Sequence, residues 1–178
     1  TDPNLFCAPF VDVNGDGVYN VYDGDYPLIQ GDNMVWMVFN DDVAHELSSA
    51  LPLNMELQVS VYAFDCAESD AIDQSLFASF EFTNRSTNDY LDTYMGFFTD
   101  FDLGCLSDDY VGTLPEENTN FAYNASALDT NCPNGEQGFG PNVPVQSISF
   151  LNKEMNHSLP NFTFNTPPGT GGPTTAQE

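Results

Sequence analysis

The sequence predicts an all-β chain, an antiparallel β-sandwich or jelly roll with long calcium-binding loops. Three observations lead there. Short apolar stretches with a period of two recur between clusters of Gly, Pro, Asn and Asp. No segment carries a helical apolar repeat long enough for a credible long helix. The 15 Phe and 8 Tyr set the chain apart from disordered acidic sequences, which are poor in aromatic residues. With 178 residues, 41% of them apolar, the chain suits one domain with its own core. That domain is expected over residues 1–164, with 165–178 as a Pro/Gly/Thr-rich tail or inter-subunit linker too poor in apolar residues to order itself.

The first element is a loop. Residues 12–23 set oxygen donors at the spacing of a twelve-residue calcium loop, which takes side-chain oxygens at positions 1, 3, 5 and 12, a carbonyl at 7 and often a water-mediated contact at 9. Those positions hold Asp12, Asn14, Asp16, Asp23, Val18 and Asn20. Position 6 must turn sharply and holds Gly17, which has no Cβ to obstruct it. The competing reading is an ordinary Asp/Asn/Gly turn without an ion. Position 12 is Asp23 where an EF-hand has a longer, bidentate Glu. The following Gly24-Asp25-Tyr26-Pro27 reads as a further turn, not as a second helix. A structural Ca2+, not a switch, is therefore expected.

Strands follow. Residues 34–39 are apolar throughout, which suits a strand buried on both faces. In 55–64, Leu57, Val59, Val61 and Ala63 alternate with Glu56, Gln58, Ser60 and Tyr62, giving a half-buried strand. Leu76, Ala78, Phe80 and Phe82 alternate with Ser79, Glu81 and Thr83 to give another. Residues 94–101 and 145–151 complete the main set, with weaker candidates near Tyr110 and Phe121. Short helical turns are expected only within 42–50 and 69–75.

Acidic residues number 27 against two basic ones, Arg85 and Lys153, for a formal net charge of -25. Such a charge opposes compaction, and bound divalent cations relieve it locally. It also argues against nucleic acid and anionic membranes as partners, since both are recognised through Lys and Arg. No apolar run approaches the roughly 20 residues of a membrane helix. Cys7, Cys66, Cys105 and Cys132 form an even set with no CxxC pair, which favours two disulfides in an oxidising, extracellular compartment over zinc or redox chemistry. Four cysteines allow three pairings. The expected pairs are Cys105 with Cys132, closing a loop worth about 3 kcal/mol, and Cys7 with Cys66. The alternative is four buried thiols.

A second group of donors gathers at Asp100, Asp102, Asp108 and Asp109. Carboxylates this close repel unless a cation or hydrogen-bond donors compensate, so a second metal site competes here with a solvated acidic turn. Asn40, Asp41 and Asp42 are a weaker version of the same pattern. Glu56 and Glu81, on the polar faces of two strands, are the least poor pair for glycoside hydrolysis, although solvent exposure explains them better. His45-Glu46 lacks the second His of a zinc-protease motif, and no nucleophile elbow, phosphate loop or dinucleotide fingerprint occurs. No catalytic residue is assigned, and the chain is expected not to be an enzyme.

Taken together, several segments resemble a module of large secreted surface proteins of the Bacteroidetes that are exported by the type IX secretion system. These are Phe6-Cys7-Ala8-Pro9-Phe10-Val11-Asp12-Val13-Asn14-Gly15-Asp16-Gly17, Gly24-Asp25-Tyr26-Pro27, Gly31-Asp32, Val38-Phe39-Asn40-Asp41, Asn84-Arg85-Ser86-Thr87, Asp102-Leu103-Gly104-Cys105 and Asp108-Asp109-Tyr110-Val111-Gly112. The loop itself resembles dockerin-type calcium loops. The resemblance spans roughly residues 4–151 by motif order and spacing. It implies a cell-surface location and calcium dependence more than any activity. It also strengthens the acidic cluster, because Asp102, Asp108 and Asp109 fall within the recurring motif. The expected function is that of a non-enzymatic, calcium-stabilised structural or adhesive module, the repeating subunit of a cell-surface fibre or filament. Its partners would be copies of itself or other surface proteins. The alternative is a carbohydrate-binding module of a secreted polysaccharide-degrading enzyme, with glycans as partners.

Overall fold

The computed structural model describes residues 8–45, 49–105, 108–130, 132, 135 and 137–158. Their strands form three antiparallel sheets, and the helical content is one short α-helix and two 3-10 turns. The chain is all-β, as its alternating pattern predicts. It divides into two compact units, Thr1–Thr93 and Tyr94–Glu178.

In the first unit, β1 (Phe10–Val11) and β2 (Tyr26–Pro27) pair antiparallel and close the base of the acidic loop between them. The larger sheet has the order β3 (Asn33–Asn40), β4 (Met55–Ala63), β5 (Phe77–Asn84). Its register places Val35, Met37 and Phe39 beside Val61, Val59 and Leu57, and these beside Ala78, Phe80 and Phe82. Side chains alternate across a strand, so these nine form one apolar face.

Two devices set the ends of this sheet. Gly31, at φ +66°, brings the chain against the Ala63 carbonyl where a Cβ would not fit. The Asp41 carboxylate accepts from the N–H groups of Leu53 (2.7 Å) and Met55 (2.6 Å), tying the exit of β3 to the entry of β4. The short helix α1 (Asp70–Asp73) lies within 69–75, where a helical turn is expected.

In the second unit, β6 (Asp109–Leu114), β7 (Thr119–Asn124) and β8 (Gln146–Ser149) form an antiparallel sheet in that order. Asp109 lies opposite Asn124 and Val111 opposite Ala122. The 3-10 turn Pro115–Glu117 and Asn118, at φ 51°, make the β6–β7 connection. Leu103, Cys105, Ala122 and Cys132 are buried here, whereas Val59 is the buried apolar residue of the first unit's sheet.

Two expectations are corrected. Residues 94–101 form no strand, and Tyr94, Met95 and Phe98 are exposed. Apolar composition alone does not supply a neighbouring strand, and Gly96 interrupts the run with a residue that disfavours extended structure. β3 is not buried on both faces. Among the described residues it is an edge strand paired only with β4, and Val35, Met37, Val38 and Phe39 are exposed on its two faces.

Candidate metal centres

The 12–23 loop folds around its own carboxylates. Asp12 accepts from the N–H of Gly15 (2.6 Å) through Oδ1 and of Gly17 (2.7 Å) through Oδ2. Both glycines have positive φ, +76° and +78°, which turns successive amides toward that carboxylate. Asp16 accepts from the Val18 N–H and the Asn14 side-chain amide, while the Asn14 Oδ1 accepts from the Asp16 N–H. Asn20 donates to Asp23 (2.6 Å) and caps the 3-10 turn Val21–Asp23 through the Tyr22 N–H. Gly24, at φ 98°, ends that turn. Asp12, Asn14, Asp16, Asn20 and Asp23 thus belong to one hydrogen-bonded loop, and Val18 enters through its amide.

Sequence reading missed Asp25. Only 2% exposed, it accepts from the N–H of Val13 (2.9 Å) and of Asn20 (2.8 Å), bracing the two halves of the loop. Its place just past the last ligand position made it look like part of an exposed turn. The loop's donors are all oxygen, the class that hard cations such as Ca2+ take. Each carboxylate oxygen also keeps a second lone pair after accepting one N–H.

The second acidic group is assembled differently. Asp108 and Asp109 lead into β6, Asn124 ends β7 opposite Asp109, and Asp129 follows five residues later. The Ala125 N–H to the Asp108 carbonyl (2.9 Å) extends this pairing. Asp129 is fully buried. Its Oδ2 accepts from the Phe139 N–H (2.8 Å), and Gly104 and Gly138 flank it so closely that a Cβ on either would run into the carboxylate. Asp109 Oδ2 accepts from the Leu103 N–H (2.9 Å), and the Asn124 amide donates to the Ser126 carbonyl (3.0 Å). Among the described residues four buried side-chain oxygens have no hydrogen-bond partner: one Oδ1 each from Asp108, Asp109, Asn124 and Asp129.

Burial raises the Asp109 carboxyl above the usual carboxylate range. The Leu103 N–H acts against this, while the negative charges of Asp108, Asp129 and Asp102 raise it further. Of the residues expected here, Asp108 and Asp109 stand side by side at the start of β6, whereas Asp102 is exposed. Asp100 is exposed as well. Asp129 and Asn124 join instead, and no local spacing announces them.

Cys105 and Cys132 are joined in a disulfide with Cα atoms 4.9 Å apart, the pairing expected from the sequence. Among the described residues, the one trio of His, Cys, Asp or Glu with ligand atoms within 4.8 Å of one another is Cys105, Asp129 and Cys132. With the sulfurs bonded to each other, neither is the thiolate that a soft metal needs, and Asp129 remains as the donor. The carboxylates of the loop and of the cluster lie farther apart than this trio. Cys66 has no disulfide partner among the described residues, and Cys7 lies outside them, as does the 165–178 tail.

The remaining candidates have structural explanations. Glu56 is not solvated on a polar face as expected. It is buried and accepts from the Arg85 guanidinium at 2.8 and 3.3 Å, which holds its carboxyl below the usual range, with help from Gln58. Glu81 lies on the same sheet face, opposite Gln58, and is exposed. Burial works to raise the Asp41 carboxyl, but the N–H groups of Leu53 and Met55, with His45, outweigh it and hold it low. Asn40 and Asp42 are exposed beside it.

No family model, curated protein or solved structure matches the chain. Among the described residues no helix is long and apolar enough to cross a membrane. The disulfide is compatible with an extracellular setting.

Proposed function

We propose that this chain is a calcium-stabilised, non-enzymatic structural or adhesive module of an extracellular cell-surface assembly, of the kind its motifs resemble in secreted Bacteroidetes proteins. The observation that carries this reading is the 12–23 loop. Its donors stand at calcium spacing, and its glycines turn amides onto Asp12 so that the remaining lone pairs are available to an ion. The charge of -25 adds a reason for divalent cations, which offset repulsion that two basic residues cannot. At calcium a hundredfold above its Kd, such an ion contributes about 2.7 kcal/mol, a large share of a domain's margin. The assembling partners are copies of this chain or other surface proteins. The β3 edge, apolar and unpaired on one side, suits strand addition by such a partner.

A second reading, a carbohydrate-binding module, draws support from one face of the β6–β7 pair. Tyr110, Tyr123 and Phe121 follow one another there at ring separations of 5.9 and 5.8 Å. Tyr110 and Tyr123 are exposed, as sugar stacking requires. Their planes are tilted by 57° and 32°, which is less suited to a flat sugar surface.

Light scattering and calorimetry in millimolar calcium and then in excess chelator test the first reading. Loss of both large assemblies and several degrees of melting temperature is expected. An unchanged melting temperature would overturn it, whereas tight binding on a glycan array that vanishes in Tyr110→Ala would favour the second.

A further inference from the structure

We infer that the β6–β7 end of the second unit is itself a cation site, in which Asp108, Asp109, Asn124 and Asp129 take a calcium-class divalent ion. The inference does not rest on the 12–23 loop, with which it shares no residue. Leaving one buried acceptor unpaired costs about 1–3 kcal/mol. Here four such oxygens occur in one short stretch of structure, three of them on carboxylates. The unit's one Lys or Arg, Lys153, is exposed. Among the described residues no donor meets these oxygens; their carboxylates do not all lie within 4.8 Å of one another, so the ion would draw them together, and a cation satisfies several oxygens at once.

Asp129 is the decisive member. A carboxylate that is fully buried and paired with one N–H keeps an oxygen that no described protein group satisfies. The fold makes room for it, since Gly104 and Gly138 give up the space a side chain would take. Asn124 is similarly poised, its NH2 on the Ser126 carbonyl and its oxygen bare. The donors are oxygens only, which excludes metals that demand sulfur or imidazole. Calcium takes six to eight oxygens in flexible geometry, whereas Mg2+ prefers a near-ideal octahedron that keeps several waters. Four protein donors, with water to complete the shell, fit calcium better.

The site would also clamp what the disulfide clamps. Cys105 precedes Asp108 by three residues and Cys132 follows Asp129 by three, so covalent bond and ion join the same two segments, 27 residues apart at the cysteines. A proton shared between carboxyls is the rival means of relieving the repulsion, and it requires no metal.

The test is to count calcium bound per full-length chain after stripping with chelator and dialysing against calcium, with metal read by mass spectrometry. The unchanged chain should hold two ions, Asp12→Asn with Asp16→Asn one, and those two with Asp129→Asn none. If the loop reading alone fails, the unchanged chain holds one ion that survives the first pair and is lost with Asp129→Asn. Retention of the same count after Asp129→Asn would overturn the inference, as would no binding at all by the Asp12→Asn, Asp16→Asn chain. Should Asp129→Asn not fold, Asn124→Ala in that background decides. A fall in affinity of about tenfold or more, the scale for disturbing a metal's supporting groups, is expected, and unchanged affinity refutes the site.

Discussion

The two acidic regions of this chain handle the same problem in opposite ways. Around Asp12 the carboxylates are covered by backbone amides, which positive-φ glycines turn inward, and the buried Asp25 has both oxygens paired. Around Asp129 the carboxylates are buried with an oxygen each left bare. The first region can keep its shape on internal hydrogen bonds, and an ion adds to it. On our inference the second takes its counter-charge from an ion. Acidic composition therefore does not measure the demand for a cation. The number of buried oxygens without donors does.

Ways to break this comparison follow in order of size. Replacing Cys105 and Cys132 together by Ala should cost about 3 kcal/mol in the chain-entropy model. It should also weaken calcium at the second region while sparing the loop. Calcium titrations paired with calorimetry check both, and an unaffected second-region affinity would show that the bridge and the donors are independent. Asp129→Asn should cost about 2.7 kcal/mol in calcium at a hundred times Kd, yet cost little or even stabilise in chelator, where it removes a repelling charge. Asp12→Asn should cost stability in both solutions, because it weakens hydrogen bonds that exist without an ion. Equal responses of the two variants to chelator would collapse the distinction.

Glycine substitutions sharpen the contrast at smaller scale. Gly104→Ala combines positive φ with a collision against Asp129 and the Phe139 ring, and should cost about 2 kcal/mol. Gly17→Ala meets open space, so only the backbone term of about 1 kcal/mol remains. Urea midpoints of the two proteins in calcium distinguish these values.

Glu56→Gln is the control, a buried carboxylate compensated by a side chain and not by an ion. It should cost about 1 kcal/mol, reduced because Arg85 is partly in water. Arg85 lowers the folded-state pKa of Glu56, so the pair's contribution is fully present above about pH 4.5, the ordinary value for Glu. It is lost as pH falls through the lower folded value. Melting from pH 7 to pH 3 should show this loss in the parent and not in the Gln variant, with calcium making no difference to it.

Legibility followed sequence distance. β4, β5 and β8 were readable because alternation is a property of neighbouring residues, and β6 and β7 were weakly marked by Tyr110 and Phe121. The 94–101 run misled, since its apolar content resembles a strand but no partner ladder reaches it. Glu56 misled in the other direction. Its place on the polar face of β4 predicted solvent, and only Arg85, 29 residues away, explains its burial.

The candidate sites divide in the same way. The 12–23 loop is written in contiguous residues, so spacing alone picks out its candidate donors and its glycine turns, and the strand periodicity alone identifies an all-β chain. Asp129 and Asn124 could not be found like this. Whether a carboxylate is bare depends on which amides and side chains lie beside it after folding, and the β6–β7 register, the disulfide and two facing glycines decide that from across the chain. Local hydrogen bonding is encoded at short range, but desolvation is set by everything that packs around a group, and so only the tertiary structure decided which carboxylates keep a bare oxygen.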